Sequence, residues 1–312
     1  MITKTYGKES LREAFGHALV TAGEKWHDLR VLDAGTSNST YSKKFRDIYP
    51  DRFYTLGINE PGMIGVATGL AMAGRRVAAC DMSVFLHHAY AHIRAAARQG
   101  DIHMLIAASH AGVTVGPDGG SAHDLSDLAR MRLVPEFRII TPWDGRQVRR
   151  AVDVIFEERG LYYLRLNRPK LPIFLSDPAP FEIGKAYHLR EGDRVTIIAL
   201  GDKVHNALEA CEELGEGFAD VIGISTLEPL DTDTIIGSAT RTGRVITVED
   251  HMYIGGLYEC VAGVLAMRKP TKMMRLCVGR KFTTSGEPDE LSKLYGLDTA
   301  ALIYACREFA KI

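Results

Sequence analysis

The chain has 312 residues, 46% of them hydrophobic and 25% charged, and a formal net charge of −1. These values suit a globular protein with room for two cores, and they exclude the strongly basic field that nucleic acid or an anionic membrane would select. No apolar run reaches the roughly 18 residues of a membrane span, and the first residues lack the apolar stretch of a signal peptide. The five cysteines are widely spaced with no Cys-x-x-Cys, which fits buried thiols in a reducing cytoplasm, the expected location.

Residues 10–22 have the spacing of an amphipathic helix, with Leu11, Phe15, Ala18 and Leu19 on one face. A strand at 31–34 empties into a small polar loop, 35–40. A strand at 52–56 runs into Gly57-Ile58-Asn59-Glu60-Pro61-Gly62-Met63, and a helix of small and apolar residues follows at 63–73. Next come a strand at 76–81, an alanine-dense helix at 85–99, and a strand at 103–109 that opens into the glycine-rich loop 111–120. A helix at 125–132, a strand at 137–140, a helix at 147–157 and a strand at 162–166 complete the set. Near-continuous apolar strands alternating with helices predict an α/β fold, a parallel sheet covered on both faces. The run 168–180 carries four prolines and reads as a linker. Strands at 195–200, 221–225, 244–249 and 274–278, with helices at 204–214, 231–238, 257–267 and 298–310, predict a second, smaller α/β domain. The expected division is 1–168, a linker at 169–182, and 183–312.

In open α/β sheets, ligands bind beyond the carboxyl ends of the strands. Here those ends carry Ser39, Glu60, Phe85 with His87 and His88, His110 with Asp118, and Arg168. Each has a plain alternative. Glu60 also suits a helix entry, where the macrodipole favours a carboxylate. Asp118 also suits a flexible turn. His88 and His92 share a helical face but lack a third ligand for a metal, and read better as a surface or interface pair. Asp124 and Asp127 most simply support a helix start. His251, after Glu249-Asp250, sits in a turn or else reaches a site across a domain or subunit boundary. The glycine loop has neither Gly-x-Gly-x-x-Gly nor a P-loop Lys-Ser/Thr, and no Gly-x-Ser-x-Gly elbow occurs.

Gly57 to Met63, the segment from Ser109 to Arg132 with Asp118-Gly119, Arg165 to Pro172, and Val248-Glu249-Asp250-His251 with Gly255-Gly256-Leu257 together resemble the C-terminal half of transketolase, encoded as a separate subunit. The resemblance implies a pyrimidine-binding domain followed by the transketolase C-terminal domain. It implies that thiamine diphosphate binds by its pyrimidine half here. The Gly-Asp-Gly marker of the diphosphate-binding half is missing, so an N-terminal subunit would bring that half with Mg2+ or Ca2+, in an α2β2 heterotetramer. No metal ligand is expected on this chain.

Position by position, Glu60 matches the carboxyl group that bonds N1′ of the aminopyrimidine, a proton-transfer role that requires a dry site. Phe85 matches the stacking ring, His88 the place of a frequent tyrosine, and Met82 joins them as cofactor-binding. Arg12, Ser39, His110 and Arg168 match a sugar-phosphate clamp, a sensible use of two guanidiniums. The expected catalytic set is Glu60, His110, Asp118 and His123. The chain departs from the family at Asp118-Gly119-Gly120-Ser121-Ala122-His123, where Ala122 replaces a substrate-contacting histidine and His123 takes a glutamine's position; either the loop shifts so that His123 fills the role, or the donor differs from the usual ketose phosphates. It departs also at Gly35, commonly Asp, and at Pro61-Gly62. The implied reaction moves a two-carbon ketol unit from a ketose to an aldose phosphate. Two alternatives share the architecture: the β subunit of a 2-oxo acid dehydrogenase, which the phosphate clamp disfavours, and a degenerate, non-catalytic regulatory protein.

Overall fold

The computed structural model describes residues 6–174 and 180–311. In chain order the first unit contains β1 (Lys8–Ser10), α1 (Leu11–Lys25), β2 (Arg30–Asp33), α2 (Ser37–Thr40), α3 (Lys43–Ile48), β3 (Phe53–Thr55), α4 (Glu60–Met72), β4 (Val77–Met82), α5 (Tyr90–Ala96), β5 (Met104–Ser109), α6 (Asp127–Arg132), β6 (Phe137–Ile140), α7 (Gly145–Glu157), β7 (Leu161–Leu166) and β8 (Lys170–Pro172). The second contains β9 (Ala186–Arg190), β10 (Gly192–Leu200), α8 (Val204–Leu214), β11 (Gly217–Ile224), β12 (Thr226–Glu228), α9 (Thr232–Thr242), β13 (Arg244–Met252), α10 (Leu257–Arg268), β14 (Lys272–Val278), α11 (Pro288–Leu294) and α12 (Thr299–Phe309). The mixed α/β architecture and its parallel sheet are as the alternation predicted.

The main sheet runs β12-β6-β7-β5-β4-β2-β3, parallel except for β12. Strands β4, β5 and β7 are buried along their whole length, which is why they are apolar throughout rather than alternating. Helices α1 and α7 cover one face: Leu11, Phe15 and Leu19 meet Val148, Val152, Ile155 and Phe156 in one fully buried cluster. Each such side chain contributes about 1.5–3 kcal/mol by leaving water. Helix α4 covers the other face through Met63, Ile64, Ala67 and Ala71. The smaller sheet runs β14-β13-β10-β11-β9, with β9 antiparallel at its edge.

Four features differ from the sequence expectations. Loop 35–40 holds a helical turn, α2. The expected 85–99 helix opens as a 3-10 segment, Phe85–Ala89, before α5. The expected linker begins as β8, which pairs antiparallel with β1; positions 175–179 of that linker lie outside the described residues. Strand β12 leaves the second unit to pair with β6 of the first. Among the described residues, no helix is long and apolar enough to cross a membrane.

Candidate active site

Parallel register aligns the strand ends. Asp33 of β2 faces Thr55 of β3 and Cys80 of β4, Met82 faces Ser109 of β5, and Ser109 faces Leu166 of β7. The residues that follow these ends therefore emerge along one edge.

Glu60 is the first residue of α4, not a residue ahead of it. Asn59 is the N-cap, and its side chain accepts from the Gly62 N–H at 2.9 Å. The carboxyl group is only 5% exposed. His88 Nδ1 lies 3.7 Å from it, and it makes no hydrogen bond to protein among the described residues. A carboxyl group so placed is dry and available. Phe85 and His88 share the 3-10 segment after β4, with the Phe85 ring 37% exposed. Met82 is buried at the end of β4.

Sequence reasoning missed Asp81. Its signal was a carboxylate inside an otherwise apolar strand, Val77–Met82. Asp81 Oδ1 accepts from the Thr36 hydroxyl at 2.8 Å and from the Met82 N–H at 2.7 Å, while Oδ2 is buried without a partner. Burial, with the charges of Glu60 and Asp33 adding to it, pushes the Asp81 carboxyl up to about 7. An acid raised in this way keeps its proton in the folded chain when the unfolded chain has already lost it. Stability therefore falls as pH rises from about 4 to about 7, then levels. Asp81→Asn keeps the acceptor and replaces the acid hydroxyl by an N–H donor. It should leave the melting temperature unchanged near pH 4 and raise it by about 5 °C or more at pH 8. A difference that does not grow across that interval would refute the assignment.

Arg12, on α1, gathers the other predicted residues. One guanidinium nitrogen donates to the Ser39 carbonyl at 2.7 Å and lies 3.3 Å from His110 Nε2; the other donates to the Arg168 carbonyl at 3.1 Å. Arg168 in turn donates to the Val115 carbonyl at 2.5 Å and to Asp118 at 3.3 Å. His110 sits in the left-handed region at φ 56° with its Nδ1 2.9 Å from the Ser109 hydroxyl. Burial, then the charges of Arg12 and Arg168, lower its imidazole to about 3. The ring is neutral in working conditions, so Arg12 and Arg168 supply the positive charge.

His123 makes no hydrogen bond to this group among the described residues. It is buried, with Nδ1 2.8 Å from the Thr283 hydroxyl and Nε2 3.0 Å from the Gly116 carbonyl. Both ring nitrogens are taken, and the side chain fastens the glycine loop to the second unit. His251 is fully buried, with Nδ1 2.6 Å from the Met252 carbonyl and Nε2 3.7 Å from Asp127, a contact between the two units. Asp124 and Asp127 do more than start a helix. Asp124 joins His87, Arg130 and the Ser83 hydroxyl, and Asp127 accepts from Arg165 and Tyr163. Among the described residues no cluster of three or more His, Cys, Asp or Glu could hold a metal.

Residues 8–173 match the family described as transketolase, pyrimidine binding domain, and residues 184–302 match transketolase, C-terminal domain. The chain belongs to the transketolase family. It is 38% identical to a putative transketolase C-terminal section of Methanocaldococcus jannaschii, over 93% of each chain. It is 35% identical to mouse transketolase over 97% of this chain and 49% of that one, so it spans about half the length of that full-length relative. A solved structure described as a split gene transketolase, inactive beta4 tetramer, shares 35% identity over 97% of this chain and 98% of that one, with a TM-score of 0.89. Transketolase from Campylobacter jejuni, at 20% identity and a TM-score of 0.83, shares the fold. The chain is thus a transketolase-type subunit, similar to proteins in which this half is separate.

Proposed function

We propose that the chain is the catalytic-pyrimidine subunit of a two-chain transketolase that takes a two-carbon ketol unit from a ketose phosphate to an aldose phosphate. The observation that carries this reading is a dry, unbonded Glu60 carboxyl and an exposed Phe85 ring on the same sheet edge as the Arg12-centred cluster. The residues fit the pyrimidine of thiamine diphosphate: a carboxyl for a ring nitrogen and a ring to stack on. When bound, the cofactor would supply the carbanion that opens the ketose C2–C3 bond. Glu60 would hold a proton at N1′, Phe85 would orient the ring, and Arg12, Ser39, His110 and Arg168 would hold the sugar phosphate. Asp118, tied to Arg168, would meet a substrate hydroxyl.

The diphosphate and its magnesium would come from an N-terminal subunit in an α2β2 assembly, in the cytoplasm. The outer side of α4 supports such a partner: Gly65, Val66, Gly69 and Met72 are exposed on the helix that starts at Glu60, and Ile58 just before it is 92% exposed. The name of the 35%-identical relative, an inactive tetramer of β chains, supports a reading in which this half alone does not turn over. The test is reconstitution. The chain alone should be inactive with ketose phosphates. Mixed with a subunit carrying Gly-Asp-Gly, it should release an aldose phosphate. Failure to bind thiamine diphosphate with any such partner would favour the degenerate reading, and decarboxylation of a 2-oxo acid would favour the dehydrogenase one.

In the reconstituted enzyme, Arg12→Ala should raise KM for a ketose phosphate by about tenfold or more with a smaller change in kcat. An unphosphorylated ketose should show little change. Equal losses for both substrates would remove Arg12 from the phosphate site.

A further inference from the structure

The loop that carries Asp118 is built from two tight turns. The Gly119 N–H donates to the Gly116 carbonyl at 3.1 Å, and the N–H groups of Ala122 and His123 donate to the Gly119 carbonyl at 2.9 and 3.1 Å. Gly116 and Gly119, on either side of Pro117-Asp118, lie in the left-handed region at φ 85° and 79°, which glycine adopts without strain. Asp118 itself is exposed.

The buried side of the loop rests on residues 283–288 of the second unit. A Cβ on Gly119 would collide with the Ser285 hydroxyl, and one on Gly120 with the Thr283 carbonyl; one on Gly116 would stand 3.2 Å from the Pro288 ring. The support is itself anchored. The Thr284 N–H donates to the Tyr295 hydroxyl at 3.1 Å, and Pro288 opens α11 with Glu287 as its N-cap.

One polar chain crosses this contact. The Gly116 carbonyl can only accept, so His123 Nε2 carries a proton and donates to it at 3.0 Å. In the neutral ring Nδ1 is then an acceptor, and it takes the Thr283 hydroxyl at 2.8 Å. Thr283 therefore reaches, through the imidazole, the first turn of the loop, the one that holds Asp118. From the first unit, Arg168 donates to Asp118 at 3.3 Å and to the Val115 carbonyl at 2.5 Å. Asp118 is held through its side chain by one unit and through its backbone by the other.

We propose that Thr283 is a positioning residue: through His123 and Gly116 it fixes the turn that presents Asp118, so that the second unit sets the affinity for a hydroxylated substrate. The assignment rests on the transketolase reading above, in which Asp118 meets a substrate hydroxyl. Thr283→Val removes the hydroxyl and keeps the branched shape. In the reconstituted enzyme, with D-fructose 6-phosphate as the ketose, it should raise KM about fivefold or more with kcat within about twofold, and Thr283→Ser should restore KM. In an Asp118→Ala background the same change should add less than about twofold, because the two residues act through one contact. A clamp that only joined the units would leave KM unmoved, or its effect would multiply with that of Asp118→Ala; either result overturns the positioning. Amide hydrogen exchange on the full chain alone reads the clamp without catalysis. Thr283→Val should speed exchange across residues 112–120 by about tenfold or more. If that variant does not fold, as judged by its melting temperature, Thr283→Ala removes the same hydroxyl and is measured in its place. Unchanged exchange overturns the clamp. Failure of the unsubstituted, reconstituted enzyme to turn over the ketose overturns instead the reading on which the positioning rests, with the exchange result still deciding the clamp.

Discussion

Glu60→Gln should lower turnover of the reconstituted enzyme by about 10²–10⁴-fold, the usual worth of a positioned proton donor. Glutamine keeps the shape of the side chain at the start of α4 and can still hydrogen-bond a ring nitrogen, but it cannot pass a proton. The fold should be unaffected, because the carboxyl group bonds no protein donor among the described residues and its ion-pair contact is a long one, 3.7 Å to a largely exposed His88. The measurements are steady-state turnover, thiamine diphosphate affinity and melting temperature on the same preparation. Turnover within about threefold of the unsubstituted protein would take Glu60 out of the chemistry.

Arg165→Met should cost about 3–5 kcal/mol of stability. Arg165 is buried on β7, donating to Asp127 at 2.8 Å in its own unit and to the Asp250 carbonyl at 2.8 Å in the other. Burial opposes its charge, but the carboxylates of Asp127 and Asp250 more than offset that and hold the guanidinium charged. Removing it strands Asp127 as an uncompensated buried charge and frees the Asp250 carbonyl. A second change, Asp127→Leu, should recover much of the loss, because an apolar pair of similar volume carries no desolvation cost. Urea unfolding of the two single variants and the double variant measures this. A loss below about 1 kcal/mol for Arg165→Met would mean that water reaches the pair.

The sheet and the Arg12 cluster were legible because they rest on local pattern. Runs such as Met104–Ser109, buried at every position, can only be interior strands, and parallel register then carries His110, Arg168 and Glu60 to one edge. What escaped depends on distant partners. Nothing in Thr226–Glu228 says that it pairs with β6. Nothing near His123 announces Thr283, 160 positions away, as its partner. The alanine-rich 85–99 segment reads as one helix by propensity. In the fold its first turn tightens, while His87 is held by Asp124 and Arg130. Asp81 was visible as a carboxylate in an apolar strand, but its altered acidity comes from burial under the assembled sheet, with Glu60 and Asp33 on other elements adding to it.

Strand β12 has a further consequence. With Leu227 fully buried and the Ser225 carbonyl accepting the Thr141 N–H at 2.8 Å, the second unit closes one border of the first unit's sheet. A bare strand border is a template for pairing with other chains. The N-terminal 182 residues, cut free, would present the β6 border uncovered and be prone to self-association. The second unit therefore acts as a covalently attached guard against aggregation, and the two units form a single piece for expression and engineering.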